Sequence, residues 1–98
     1  MNTGLKQETL LQLATTLSRY PQVKRAVIFG SRASGDYKRY SDIDLALYAD
    51  GDIPPGLYPD LDEAAGIYKI DVIDMNSLRS EKLRKTIEEG GIEIYARR

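Results

Sequence analysis

Residues 30–47, GSRASGDYKRYSDIDLAL, join a small-residue turn to two acids, Asp42 and Asp44, set one residue apart in an apolar run. The run from Asp42 to Tyr48 predicts a strand. A strand's period of two puts Asp42 and Asp44 on one face and sends Ile43, Leu45 and Leu47 to the other. Carboxylates about 6 to 7 Å apart repel and are costly to desolvate, so their side is not one a core should contain. A hard divalent cation accounts for it, because Mg²⁺ takes octahedral oxygen ligands and commonly uses one or two carboxylates together with substrate phosphates. Gly30 suits the phosphates: without a side chain it lets main-chain donors approach an anion closely.

The stretch just before this turn, VKRAVIF at 23–29, predicts a first strand whose end runs into the glycine turn. In mixed α/β domains that is a common place for a ligand. Upstream, Leu5 to Ser18 reads as a helix with Leu10, Leu13, Ala14 and Leu17 on one stripe, ended by Tyr20-Pro21. Leu11 lies off the stripe and either widens the core face or belongs to a docking surface. Arg32 to Gly35 reads as a turn or one helical turn, and Asp36 to Tyr40 as a polar connector.

Downstream, Ala49 to Pro59 is a loop by composition, and Leu57 to Ala65 a short helix closed by Gly66. A third strand lies within Ile67 to Met75, with YKIDVID as its centre. Asp71 sits inside that strongly strand-forming run, where an acid marks either a bound ion or a strand edge. Ser80 caps a last helix running to Glu89, with Leu83 and Ile87 inward, and Gly90-Gly91 leads to a final short strand, IEIYA. The sum is an α/β (α+β) fold, a small mixed sheet of three or four strands backed by helices, read as a single domain over residues 1–98.

Composition narrows the chemistry. The chain has 98 residues, 42% of them apolar, with neither cysteine nor histidine. Zinc–thiolate sites, a serine–histidine triad and a thiol nucleophile are therefore unavailable from it. No apolar run approaches the ~18 residues of a membrane span, and the amino terminus has no signal-peptide pattern, which leads to the expectation of a cytoplasmic protein. Residues 1–41 carry seven bases against two acids, a net of +5, and residues 42–98 seven against thirteen, a net of −6. The basic half suits an anionic substrate or acidic partner and the acidic half a cation, while the formal net charge of −1 argues against duplex DNA binding. Tyr37 and Tyr40, in the basic connector, read equally as contacts to a base or partner and as ordinary half-buried tyrosines.

Gly30-Ser31, ten residues, then Asp42-x-Asp44, with a further acid in the KIDVID strand, resembles the signature of the minimal nucleotidyltransferases in the DNA polymerase beta superfamily. LRKTIEEGGIEIY resembles that family's closing helix and strand, so the resemblance covers essentially the whole chain. It implies that Gly30, Ser31 and Arg32 engage nucleotide phosphates, that Asp42 and Asp44 ligate one or two Mg²⁺ ions, and that Asp71 is the third carboxylate, beside the acceptor. It implies transfer of a nucleoside monophosphate, AMP from ATP, onto a hydroxyl. Small members are often paired with a helical HEPN-type protein as antitoxin and toxin, which implies a hetero-oligomer and an acceptor on that partner, with an RNA acceptor also open. Ser34 departs from the family's Gly-Ser-x-Ala-Arg-Gly pattern, removing a positive phosphate contact that Arg32, Lys38 or Arg39 would have to replace. The alternative expectation is a transferase-fold antitoxin or regulatory subunit that acts by binding its partner.

Overall fold

The computed structural model describes residues 2–97. Its elements run α1 (Gln7–Ser18), β1 (Val23–Phe29), α2 (Ser31–Ser34), β2 (Ile43–Ala49), α3 (Leu57–Ala65), β3 (Ile70–Asp74), α4 (Glu81–Gly90) and β4 (Ile92–Ala96). The four strands form one sheet in the order β3-β2-β1-β4. β1 is antiparallel to both β2 and β4, and β2 is parallel to β3, so the sheet is mixed, as expected.

Both faces of the sheet are covered. On one, Ile43, Leu45 and Leu47 of β2 join Ala26 and Ile28 of β1 and Ile70 of β3, packed under Leu13 and Leu17 of α1 and Leu57 and Leu61 of α3. On the other, Val27, Phe29 and Ala46 meet Ile87 of α4 and Met75 in a smaller core. The face that carries Asp44 is thus not wholly alien to a core: two residues along, Ala46 is fully buried beneath α4, and the acids occupy only the end that α4 leaves open. A register shift between Val23 and Arg25 lets Val23 and Ala26 point to the same side despite their odd spacing, as a β-bulge does.

The helices follow their sequence signals with small differences. α1 begins at Gln7 rather than Leu5, and its buried line is Leu13, Thr16 and Leu17. Leu11 is 62% exposed and does not widen the core face. Thr16 takes an inward position because its hydroxyl is satisfied by the Gln12 carbonyl, 2.9 Å away. Pro59 sits in the first turn of α3, where an amide would have no intrahelical acceptor in any case. In α4 the Ser80 hydroxyl accepts from the Leu83 amide at 3.1 Å, as the sequence suggested. Gly91 follows with ordinary negative φ. What demands glycine there is space, since a Cβ would collide with Val27 and the Ile87 carbonyl, so the α4–β4 corner lies directly on β1.

Candidate active site

β1 delivers the chain to Gly30 at the end of the sheet, and α2 starts immediately afterwards. Gly30 has φ +73°, which residues with side chains rarely adopt. A Cβ built on it would lie 2.5 Å from Oδ2 of Asp44. The glycine therefore does two things: it turns the chain, and it leaves the space that the Asp44 carboxylate occupies. Ser31 opens α2, whose first amides have no intrahelical acceptor, while the amides of Ala33 and Ser34 return to the Gly30 carbonyl at 3.1 and 3.0 Å.

Asp44 is paired with Phe29 across the antiparallel ladder and with Asp71 across the parallel one. Asp44 and Asp71 therefore stand side by side on neighbouring strands, next to the glycine turn. Asp42 is exposed and falls one residue before β2, outside the strand it was expected to open. Burial raises the Asp44 carboxyl above its usual range, and the negative charges of Asp71 and then Asp42 raise it further. All three acids thus share one electrostatic site.

Asp71 lies on the edge strand β3 with its side chain half-exposed and Lys69 at 3.9 Å. Asp71 is thus at a strand edge, and it is also in register with Asp44. Among the described residues no three acids already form a closed metal-binding cluster. The donor set nevertheless suits a hard divalent cation. The charges of two further carboxylates, Asp42 and Asp71, act on Asp44, a glycine has cleared space for the Asp44 side chain, and Asp42 and Asp71 are exposed.

Arg32, expected among the phosphate contacts, is turned into the protein instead, with only 1% of its surface exposed. Its guanidinium donates to the carbonyls of Ser41, Thr3 and Arg39 and lies against the rings of Tyr37 and Tyr68, 5.3 and 4.8 Å from their centroids. Those donors are committed within the fold. No periodicity in the sequence marks this burial, and the only hint is the companionship of an arginine with nearby tyrosines. Tyr37 accordingly packs, whereas Tyr40 is 64% exposed. Ser34, Lys38 and Arg39 are exposed beside the turn.

A mixed four-stranded sheet with a Gly-Ser turn closing on strand-borne carboxylates is the layout of a nucleotide-handling domain. The family model described as Polymerase beta, Nucleotidyltransferase matches residues 11–98, and the chain belongs to that family. No curated protein matches the sequence at a significant level. Among solved structures, the chain resembles a toxin–antitoxin protein crystallised with AMP-PNP, at 23% identity over 96% of this chain and 76% of that one, with a TM-score of 0.71. A complex of a tri-AMPylated HEPN toxin of Shewanella oneidensis with its MNT antitoxin contains a chain matching at 20% identity, 95% and 74% coverage and a TM-score of 0.71. A chain of the MntA–HepT toxin–antitoxin pair matches at 21% identity, 94% and 74% coverage and a TM-score of 0.69. At such identities these likenesses establish the shared fold.

Proposed function

We propose that residues 1–98 form a minimal nucleotidyltransferase that moves AMP from ATP onto a hydroxyl of a helical HEPN-type partner, as the antitoxin of the pair. The observation that carries this reading is the Gly30–Asp44–Asp71 juxtaposition: a glycine turn suited to phosphates lies against two carboxylates held in register on adjacent strands. Solved relatives of the same fold that contain AMP-PNP, or an AMPylated HEPN toxin, support the choice of nucleotide and partner. Among the described residues no helix is long and apolar enough to cross a membrane, and the proposed site of action is the cytoplasm, where ATP and Mg²⁺ are abundant.

Asp42, Asp44 and Asp71 would hold Mg²⁺, which when bound offsets the charge of the triphosphate and of the attacking oxygen. Ser31 and the amides at the start of α2 orient the phosphates and so align the α-phosphorus. The acceptor oxygen forms a bond to that phosphorus as the bond to pyrophosphate breaks. Asp71, half-exposed at the sheet edge, takes the hydroxyl proton.

A second reading is favoured by one observation. With Ser34 in the place of the family arginine and Arg32 turned inward, no cation from the turn itself faces the phosphate site. A protein without that charge, and without substitution by Lys38 or Arg39, would neutralise its partner by contact alone. One experiment separates the two: the intact mass of the HEPN-type partner after incubation with this protein and MgATP, with the Asp42→Asn/Asp44→Asn double variant as control. Added mass in whole adenylate units, absent with the control, supports transfer. A stable complex without added mass supports contact alone.

A further inference from the structure

The geometry points to a role for Arg32 that phosphate binding does not cover: we propose that it is a positioning residue, which fixes the backbone bearing Asp42 so that this carboxylate meets the metal ion without any protein contact of its own. The inference rests on the reading of Asp42 as a metal ligand.

Arginine is seldom fully buried, because its charge must be satisfied where water cannot reach it. Among the described residues none of the ion pairs involves Arg32. Its charge is met by carbonyl oxygens and ring faces. Two donors converge on one of those carbonyls, that of Ser41: Nε at 3.1 Å and one terminal nitrogen at 2.9 Å. The other terminal nitrogen reaches Thr3 at 3.0 Å, and so ties the amino-terminal segment to the same loop.

Ser41 is the residue immediately before Asp42, and it is held at every polar atom. Its amide donates to the Lys38 carbonyl at 3.1 Å, and its hydroxyl accepts from the Lys38 amide at 2.7 Å. On the far side of Asp42, the Ile43 amide donates to the Lys69 carbonyl at 2.8 Å. The backbone on both sides of Asp42 is pinned while its side chain is exposed. This is how a fold places a carboxylate accurately without occupying its oxygens, and a planar fork with donors in fixed directions is what the Ser41 carbonyl requires. Lysine, with its donors at a single point, cannot bridge Ser41 and Thr3 in the same way.

The test is Mn²⁺ binding, followed by electron paramagnetic resonance in the presence of a non-hydrolysable ATP analogue, on the full chain. Wild type should bind Mn²⁺ saturably and Asp42→Asn weakly. Arg32→Lys, with a native circular dichroism spectrum, should bind Mn²⁺ about 10-fold more weakly, the lower end of the effect of removing a ligand's supporting partner. Its affinity for the analogue without metal should be unchanged. A purely structural role would lower its melting temperature and leave Mn²⁺ affinity intact, and that result overturns the proposal. Should Arg32→Lys not fold, Tyr68→Leu decides: loss of one flanking ring should weaken Mn²⁺ about threefold, and wild-type affinity in that folded variant overturns the proposal. No Mn²⁺ binding by wild type overturns the metal reading itself, and this inference with it.

Discussion

Replacing Asp44 by asparagine preserves the size of the side chain and removes one negative charge from a site where three meet. Neighbouring strands are about 4.8 Å apart, and Asp44 and Asp71 are register partners in the parallel ladder, which puts their carboxylates at about 6 Å. At that distance repulsion is about 0.7 kcal/mol in water and about 3 kcal/mol at an effective dielectric of 20. Asp44 is partly exposed, so the lower part of this range applies, and with Asp42 adding to it the total is about 1 kcal/mol. Without a divalent ion, Asp44→Asn should therefore be more stable than wild type at pH 7, with a melting temperature higher by about 4 to 8 °C for a domain of this size.

The pH dependence follows from the same charge. The Asp44 carboxyl in the folded protein lies above its ordinary value of 3.8, from burial first and its acidic neighbours second. At neutral pH it is ionised in both folded and unfolded chains, and the full destabilisation is present. As pH falls through the folded-state value, the folded protein takes up this proton before the unfolded chain does. Wild type then recovers stability relative to the variant, and the gap closes as pH approaches 3.8. Mg²⁺ with a nucleotide analogue should reverse the order by stabilising wild type more than the variant. Transfer should fall at least about 100-fold, the lower end of what a strong electrostatic contact supplies, or about 2.7 kcal/mol. Differential scanning fluorimetry from pH 4 to 8, alongside transfer from labelled ATP, reads both quantities. A variant less stable than wild type at pH 7, or one with comparable turnover at saturating MgATP, would refute the reasoning.

Two other substitutions probe the same constellation. Gly30→Ala combines unfavourable positive φ with a Cβ 2.5 Å from Asp44 Oδ2; it should cost at least about 1 kcal/mol of stability and lower transfer as well, and a variant unchanged in melting temperature would show that the turn is not tight. Asp71→Asn relieves the same repulsion with Asp44 and loses an exposed ion pair with Lys69 that is worth little; it should gain up to about 0.7 kcal/mol of stability, less than Asp44→Asn gains, while turnover falls more than affinity for the ATP analogue. Loss of analogue binding in parallel with turnover, measured by calorimetry, would make Asp71 a metal ligand only and remove it as the proton acceptor.

Much of this fold was legible because the sequence carries strong local signals at its boundaries. β1 has the expected bounds, and α3 runs as predicted from Leu57 to Ala65 and ends at Gly66, because an apolar run and a glycine each leave the backbone little choice. Long-range facts were less accessible. Strand alternation around Asp44 indicated a polar face, yet Ala46 on that face is buried with Ile87 of α4, far along the chain, and nothing local to β2 announces the cover. The sequence leaves Leu11 between the core face and a docking surface, and its exposure is explained only when Thr16 is seen to hold the inward position, with its hydroxyl satisfied by its own helix. Arg32 is the sharpest instance: beside a Gly-Ser turn an arginine suggests phosphate, and only the three-dimensional path of residues 37–41 shows carbonyls and a ring waiting for it inside.

That last difference bears on how such a site achieves precision at small size. A phosphate-binding arginine must stay mobile and wet until substrate arrives, whereas a buried one rigidifies what it touches. Here the buried guanidinium braces Ser41, Gly30 gives up its side chain to seat Asp44, and strand register alone sets Asp71 beside it. Three carboxylates are thus located by three different devices: a braced loop, a vacated volume and a ladder pairing. None of these devices occupies the oxygens of Asp42, and Asp71 gives up only a weak exposed contact to Lys69. In the proposed function, the repulsion left among them is what a bound cation would relieve, which is why a more stable Asp44→Asn protein and a poorer enzyme are expected from one and the same substitution.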